Sequence, residues 1–187
     1  MDIPKALDPA EAIQKALPDA LQDVKTFRGE TTLVIVPAQL VKVAQFFRDT
    51  AGLVYNYLSD ISAVDYAEVS PVGSVIGISG RPERFGVSYH LYSMLYNRRL
   101  RLKVFLPEDD PQVSTVTGIW PGANWLEREI YDLMGVTFVG HPNMKRVLLP
   151  DDWDGHPHRR DYPLGYETVQ FSFNVDEILK HKPFAKE

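Results

Sequence analysis

The sequence predicts an α+β fold: a mostly antiparallel sheet with helices on one side, followed by a long irregular C-terminal arm. Three observations predict it. Leu100, Leu102, Val104 and Leu106 alternate with Arg99, Arg101, Lys103 and Phe105, the period of a strand with one wet face. Leu40, Val43, Ala44 and Phe47 recur at i, i+3, i+4 and i+7, the apolar stripe of a helix. From Val136 onward Pro142, Pro150, Pro157, Pro163 and Pro183, interleaved with Gly140, Gly155 and Gly165, leave no sustained period.

Taken in order, Asp8-Pro9 reads as an N-cap followed by proline at the first helical position, and Pro18 ends that helix near Leu17. Residues 23–28 and 31–36 flank Gly29-Glu30 as a hairpin, and the second strand is apolar on both faces, as a central strand would be. Pro37 opens the helix that carries the Leu40 stripe, and Gly52 closes it. A strand follows within residues 55–66. Residues 70–84, rich in Gly, Pro and Ser, read as a loop. Residues 85–96 and 100–106 form the strongest hairpin, joined through Asn97-Arg98-Arg99. Asp109-Asp110-Pro111 is expected to open a short helical stretch. Asn124 is expected to cap a second helix, with Glu127 three residues on as in a capping box, ending at Met134-Gly135. Residues 1–120 are thus expected to form the α+β domain, and residues 121–187 a helix plus an extended proline-rich arm. Phe138, Trp153, Tyr162 and Phe171 make the arm too apolar for a solvated tail, so it is expected to pack on a surface.

Composition narrows the function. The chain of 187 residues contains no cysteine, which excludes disulfides, thiolate metal sites and iron–sulfur clusters on its own thiolates. A net charge of −5 argues against a nucleic-acid surface. Aliphatic runs such as residues 33–36 are far shorter than the roughly 20 residues that span a bilayer. Met1-Asp2-Ile3-Pro4 has neither a basic nor an apolar leader region, so a soluble cytoplasmic domain is expected.

Two constellations could carry chemistry. On the helix after Asn124, Leu126, Ile130, Leu133 and Met134 share an apolar side, whereas Trp125, Arg128, Glu129 and Asp132 gather opposite. Glu129 and Asp132 could form an acid/base pair, but no His or nucleophile is fixed beside them. A salt-bridged outer face, with Arg128 and Asp132 at i, i+4 and Trp125 marking a docking point, is the better reading. His141, His156 and His158 lie near Asp151, Asp152, Asp154 and Asp161, as in a metal hydrolase. No helix or strand is expected to hold these ligands, and His141 and His156 each precede proline, which suits a turn-fixing role. Neither a Gly-x-Gly-x-x-Gly turn nor a phosphate-binding loop is present.

Trp125-Leu126-Glu127-Arg128-Glu129-Ile130-Tyr131-Asp132-Leu133-Met134-Gly135-Val136 begins a longer signature. It continues through Phe138, Gly140-His141-Pro142, Arg146-Val147-Leu148-Leu149-Pro150-Asp151-Asp152-Trp153, Gly155-His156-Pro157 and Arg159-Arg160-Asp161-Tyr162-Pro163-Leu164. This string resembles the C subunit of the proton-translocating NADH:quinone oxidoreductase, respiratory complex I. Thr117-Gly118-Ile119-Trp120-Pro121 and the strand from Arg101 to Pro107 extend the resemblance upstream, and Ile61 to Tyr66 more weakly. His158 departs from it, standing where an aliphatic residue is usual, and residues 70–84 are longer than the family pattern.

The resemblance implies a peripheral subunit with no catalytic residue, metal or cofactor of its own. It would sit on the cytoplasmic side of the membrane without inserting, packed on the large D subunit and neighbouring cluster-carrying subunits. NADH, FMN, iron–sulfur clusters and quinone would belong to other subunits. The residues expected at the partner interface are Trp125, Arg128, Glu129, Asp132 and His141 on and beside the helix. Along the arm they are Asp151, Asp152, Trp153, His156, Arg159, Arg160, Asp161 and Tyr162. An equivalent subunit of a sister quinone oxidoreductase or membrane-bound hydrogenase is the alternative, and a free-standing His/Asp metal hydrolase a more distant one.

Overall fold

The computed structural model describes residues 4–70, 75–78 and 80–162. It opens with α1 (Pro9–Ala16), where the Asp8 carboxylate accepts from the backbone N–H of Ala10 and Glu11 at 2.9 and 3.1 Å, as an N-cap should. β1 (Leu21–Phe27) and β2 (Glu30–Ile35) pair antiparallel. Their turn is Arg28-Gly29, one residue ahead of the expected Gly29-Glu30, with both residues at positive φ (51° and 80°). A two-residue turn of that conformation matches the twist of the strands it joins.

α2 (Leu40–Asp49) buries Leu40, Val43, Ala44 and Phe47, the stripe read from the sequence. β3 (Tyr57–Asp65) leads through a small ribbon of β4 (Ala67–Val69) and β5 (Val75–Ile78) into the long hairpin of β6 (Phe85–Ser93) and β7 (Arg98–Leu106). The main sheet runs β1-β2-β7-β6-β3, antiparallel except where β2 meets β7. Then come β8 (Gln112–Ser114), α3 (Ala123–Met134) and β9 (Thr137–Val139). Leu100, Leu102, Val104 and Leu106 of β7 share one core with Val87, Tyr89 and Leu91 of β6. Ile13, Phe47, Ile130, Met134 and Phe138 join it from the helices and β9, so the core draws on both sides of residue 120. Each such side chain contributes about 1.5–3 kcal/mol when fully buried. No helix among the described residues is long and apolar enough to cross a membrane.

Four further local expectations fail. The β6–β7 joint is residues 94–97 and not Asn97-Arg98-Arg99, since Arg98 and Arg99 already pair with Ser93 and Tyr92. Residues 70–84 are not loop throughout, because β5 lies within them; a four-residue strand is too short to show a period among Gly, Pro and Ser. The stretch after Asp109-Asp110-Pro111 is the strand β8, paired parallel with β9. Val113 and the β-branched run from Thr115 to Thr117 favour extension, and the partner that fixes it lies more than twenty residues away. Asn124 is not the N-cap of α3, since Gly122 holds that place. The backbone N–H groups of Ala123 and Asn124 donate instead to the carbonyls of Trp120 and Pro121, which frees Glu127 to turn inward.

Candidate functional site

α3 and the chain that follows it form the most polar buried region among the described residues. The helix ends at Gly135, in the left-handed conformation (φ 75°). A Cβ there would lie 2.5 Å from His156 Cδ2 and 2.6 Å from Arg159 Nη2, so glycine is needed for both the turn and the close approach of the arm. The last carbonyls of a helix lack partners within it, and the arm supplies them. Asp132 O accepts from Arg146 Nη1 (3.1 Å) and His156 Nδ1 (2.9 Å). Leu133 O accepts from the His158 backbone N–H (2.8 Å), Met134 O from Arg159 Nε (2.9 Å) and Gly135 O from Arg159 Nη2 (3.4 Å). Two guanidinium groups beside a helix C-terminus also complement its dipole.

Asp132 does not lie on an outer face. It is fully buried, because the arm covers the side of α3 that a two-sided helix would show to solvent. Its Oδ2 accepts from three successive backbone N–H groups, Val147, Leu148 and Leu149, at 2.9, 2.8 and 3.0 Å. Its Oδ1 takes Arg146 Nη1 at 2.7 Å. Burial alone would raise its pKa, but these bonds outweigh it and hold the carboxyl at about 2. Arg146 extends the network to the carbonyls of Trp153 and Gly155. The expected Arg128–Asp132 pair is not made. Arg128 donates to the carbonyls of Lys145 and Arg146, both at 3.0 Å, and lies 4.8 Å from the Trp125 ring centroid.

A second anchor centres on Arg84, which sequence reasoning did not single out. It is 1 % exposed. Its Nε and Nη2 meet Asp65 at 3.0 and 2.7 Å, and its Nη1 meets Glu108 at 2.6 Å. Asp161 takes Nη2 and Nη1 at 2.6 and 3.2 Å. All five guanidinium donors are engaged. Asp65 also accepts from the backbone N–H of Ala67 and Arg160, both at 2.9 Å. Burial pushes the Asp65 pKa up, yet its hydrogen bonds, chiefly from Arg84, hold it below the usual carboxylate range. The end of β3 and the last described residues of the arm meet here.

Glu127 is the third buried carboxylate. It accepts from Thr115 Oγ1 at 2.5 Å and the Val116 backbone N–H at 2.8 Å. With no cation bonded to it, burial wins and pushes its pKa up to about 7. His141, 4.0 Å away, has Nδ1 accepting from the Asn143 N–H (3.0 Å) and Nε2 against the Asn124 carbonyl (3.1 Å). That geometry requires the neutral tautomer with hydrogen on Nε2.

The other residues expected at an interface separate by exposure. Trp125 is 62 % exposed; Glu129, Asp151, Asp152 and Arg160 are also exposed. Trp153 is half-buried, and its indole N–H has no acceptor among the described residues. Burial, helped by Arg159 and Arg146, pushes the His156 pKa below its usual value, so its Nδ1–H donates as neutral imidazole. Tyr162 donates to the Asp154 carbonyl at 3.2 Å. Among the described residues no group of three or more His, Asp or Glu side chains could hold a metal ion. The arm expected beyond residue 162 lies outside the described residues.

The sequence matches the family model of the respiratory-chain NADH dehydrogenase 30 Kd subunit over residues 33–168. The C subunit of NADH-quinone oxidoreductase from Roseiflexus sp. (strain RS-1) is 46% identical over 185 residues, covering 97% of this chain and 99% of that protein. The corresponding C subunit of Herpetosiphon aurantiacus is 42% identical over 159 residues, covering 85% and 86%. Among solved structures, the trypsin-resistant fragment (1-134) of Nqo5 has a TM-score of 0.59 at 30% identity, covering 72% of this chain and 97% of that one. A chain of the membrane-bound sulfane sulfur reductase, an archaeal respiratory membrane complex, shares the fold with a TM-score of 0.64 at 20% identity, over 95% of this chain and 94% of its own. The chain therefore belongs to the 30 Kd subunit family of the respiratory-chain NADH dehydrogenase, the family of the NADH-quinone oxidoreductase C subunits.

Proposed function

We propose that this chain is a non-catalytic bracing subunit of a NADH:quinone oxidoreductase, with residues 121–187 as the arm that grips the large D subunit and the neighbouring cluster-carrying subunits. The complex would pass electrons from NADH through FMN and iron–sulfur clusters to quinone, coupled to proton translocation, with every cofactor on other subunits. The chain would lie on the cytoplasmic side of the membrane without entering it. One observation carries this reading: the arm's buried polar groups are committed to holding backbone. Asp132, Arg146, His156 and Arg159 bond main-chain atoms of α3 and of the arm itself, leaving Trp125 and Leu148 (62 % and 60 % exposed) as apolar contacts on the outside. Exposed aromatic anchors beside a polar rim suit an assembly surface. His141 and His156 have ring nitrogens engaged by backbone, which ties up ligands that the metal-hydrolase reading needs.

The shared fold with the sulfane sulfur reductase chain keeps a sister respiratory complex as a second reading, and 46% identity to a NADH-quinone oxidoreductase C subunit favours the first. The test is Arg159→Ala and Trp153→Ala in the tagged chain, followed by native-gel yield of complex and NADH:quinone reductase activity per assembled complex. Assembly is expected to fall several-fold with activity per complex unchanged. Full assembly with lost reductase activity would place these residues in the chemistry and end the bracing reading.

A further inference from the structure

The free edge of β3 lies in a groove that none of the described residues fills. β3 is nine residues long and, among the described residues, pairs on one side only, with β6. A groove of about 210 Å³ runs along it, and one wall is made by four consecutive residues, 60–63. Consecutive strand residues point to opposite faces, so a wall of four in a row is the strand's edge, main chain included. The facing wall is one side of α3, formed by Glu129, Ile130, Leu133 and Met134, with the exposed His158 of the arm beside it. Asp60 and Glu129 are both exposed, and neither forms a salt bridge among the described residues. Long open strand edges are ordinarily paired or covered, because their N–H and C=O groups template another strand.

We propose that this groove takes an extended segment of a neighbouring subunit, which adds to β3 as a sixth strand of the main sheet. The two walls dictate its chemistry. Main-chain hydrogen bonds to β3 supply affinity, and alternate side chains supply specificity. On one side the segment carries apolar residues against half-buried Leu133, beside which the core leaves only the margins of Ile130 and Met134 open; at the rim it carries Lys or Arg opposite Asp60 and Glu129. Charge complementarity favours such a partner over an acidic one, which would meet two carboxylates. The proposal rests on the chain being an assembly subunit, and adds where and how one partner segment docks.

The experiment uses the complex purified through a tag on this chain. Amide hydrogen exchange across residues 57–65 is compared between the isolated chain and the complex. In parallel, Asp60→Cys, the sole thiol in a cysteine-free chain, carries a benzophenone cross-linker in the assembled complex. We expect at least about tenfold slower exchange for half of these amides on assembly, as strand pairing protects them. The cross-link is expected on one extended basic-and-apolar segment of another subunit. Asp60→Lys with Glu129→Lys should lower complex yield about tenfold while the isolated chain melts unchanged. Exchange at β3 that is the same in complex and isolated chain overturns the groove and leaves the assembly reading standing. A cross-link to residues 163–187 of this chain, or to a second copy, also overturns it. A tagged chain that enters no complex overturns the assembly reading and the groove's occupant together.

Discussion

In β7 every second side chain, from Leu100 to Leu106, disappears into an apolar core, whereas where the arm is anchored the groups that disappear are polar: Asp132 of α3, held by Arg146, and Arg84 beside the sheet, held by Asp161. The sheet satisfies its main chain by its own ladders and needs side chains only for packing. The arm after β9 has no ladder among the described residues, so side chains must satisfy its main chain. Order in the sheet is therefore non-directional and tolerant of similar shapes. Order in the arm is directional, because each donor must point at its acceptor.

The largest expected effect breaks the joint between the two regions. Arg84→Met leaves Asp65, Glu108 and Asp161 converging without the cation bonded to all three, and removing one member of a buried pair costs about 3–5 kcal/mol. Calorimetry of the full chain should show a midpoint lower by roughly 6–20 °C, at about 2–4 °C per kcal/mol for a chain of this size. A shift below about 2 °C would mean that the carboxylates simply re-solvate, and that the joint is peripheral.

Next come two substitutions that should separate the regions. Leu102→Ala cuts the apolar core and should cost about 2–5 kcal/mol globally, speeding exchange in sheet and arm alike. Asp132→Asn keeps the shape but sets an amide NH₂ among donors, leaving either Arg146 or the 147–149 N–H groups without an acceptor at about 1–3 kcal/mol for each group. Exchange should then rise at residues 146–159 while β6 and β7 keep their protection. Uniform loss across both regions would show that arm and sheet open as one unit.

The two buried carboxylates of α3 should also respond to pH with opposite sign. Asp132 is held at about 2 against an ordinary 3.8, so its stabilising contribution is full above the unfolded value and is lost as pH falls toward 2. Glu127 is pushed to about 7 against an ordinary 4.5, so the folded state keeps a proton that the unfolded state releases. Its contribution is full below pH 4.5 and is lost as pH rises through 7, about 3 kcal/mol in all at about 1.4 kcal/mol per pH unit. Urea midpoints between pH 4.5 and 7.5 should fall for the native chain and stay flatter for Glu127→Gln. Parallel slopes would remove Glu127 as the cause.

The smallest effect is expected at Trp125→Ala. A side chain 62 % exposed should change stability by less than about 0.5 kcal/mol. A larger loss in the isolated chain would make Trp125 part of the arm's own packing, and not an outward contact.

The sheet was legible because its signals are local. The alternation of β7, the helical stripe of α2 and the Asp8-Pro9 start each fit within a single strand or helix, and each stands in the structure. The anchors were not legible for the opposite reason. Arg84 meets partners 19, 24 and 77 residues away from within a Gly- and Pro-rich stretch, where no period points inward. Glu127 misled because Asn124 and Glu127 have the spacing of a capping box, although the cap is Gly122 and the helix starts two residues earlier than that spacing implies. Asp132 misled because a helical wheel allows only core or solvent, and here a third layer covers the side opposite the sheet. A signal did exist. Asp132 is a carboxylate in the last turn of a helix that has no basic residue there, an unfavourable place unless cations arrive from elsewhere. Arg146 and Arg159 are those cations.

Asp132 reads Val147, Leu148 and Leu149 through their N–H groups alone. Where a strand in a core constrains the size and apolarity of every buried side chain, this anchor constrains only that the three residues be able to donate. Proline is barred at 147, 148 and 149; otherwise the anchoring contact accepts any side chain. Leu148, 60 % exposed, can therefore change to suit whatever surface faces it without loosening the arm's hold on α3. Attachment is written in the main chain and outward contact in the side chains, so this segment can adapt its contacts in steps that each leave the arm in place.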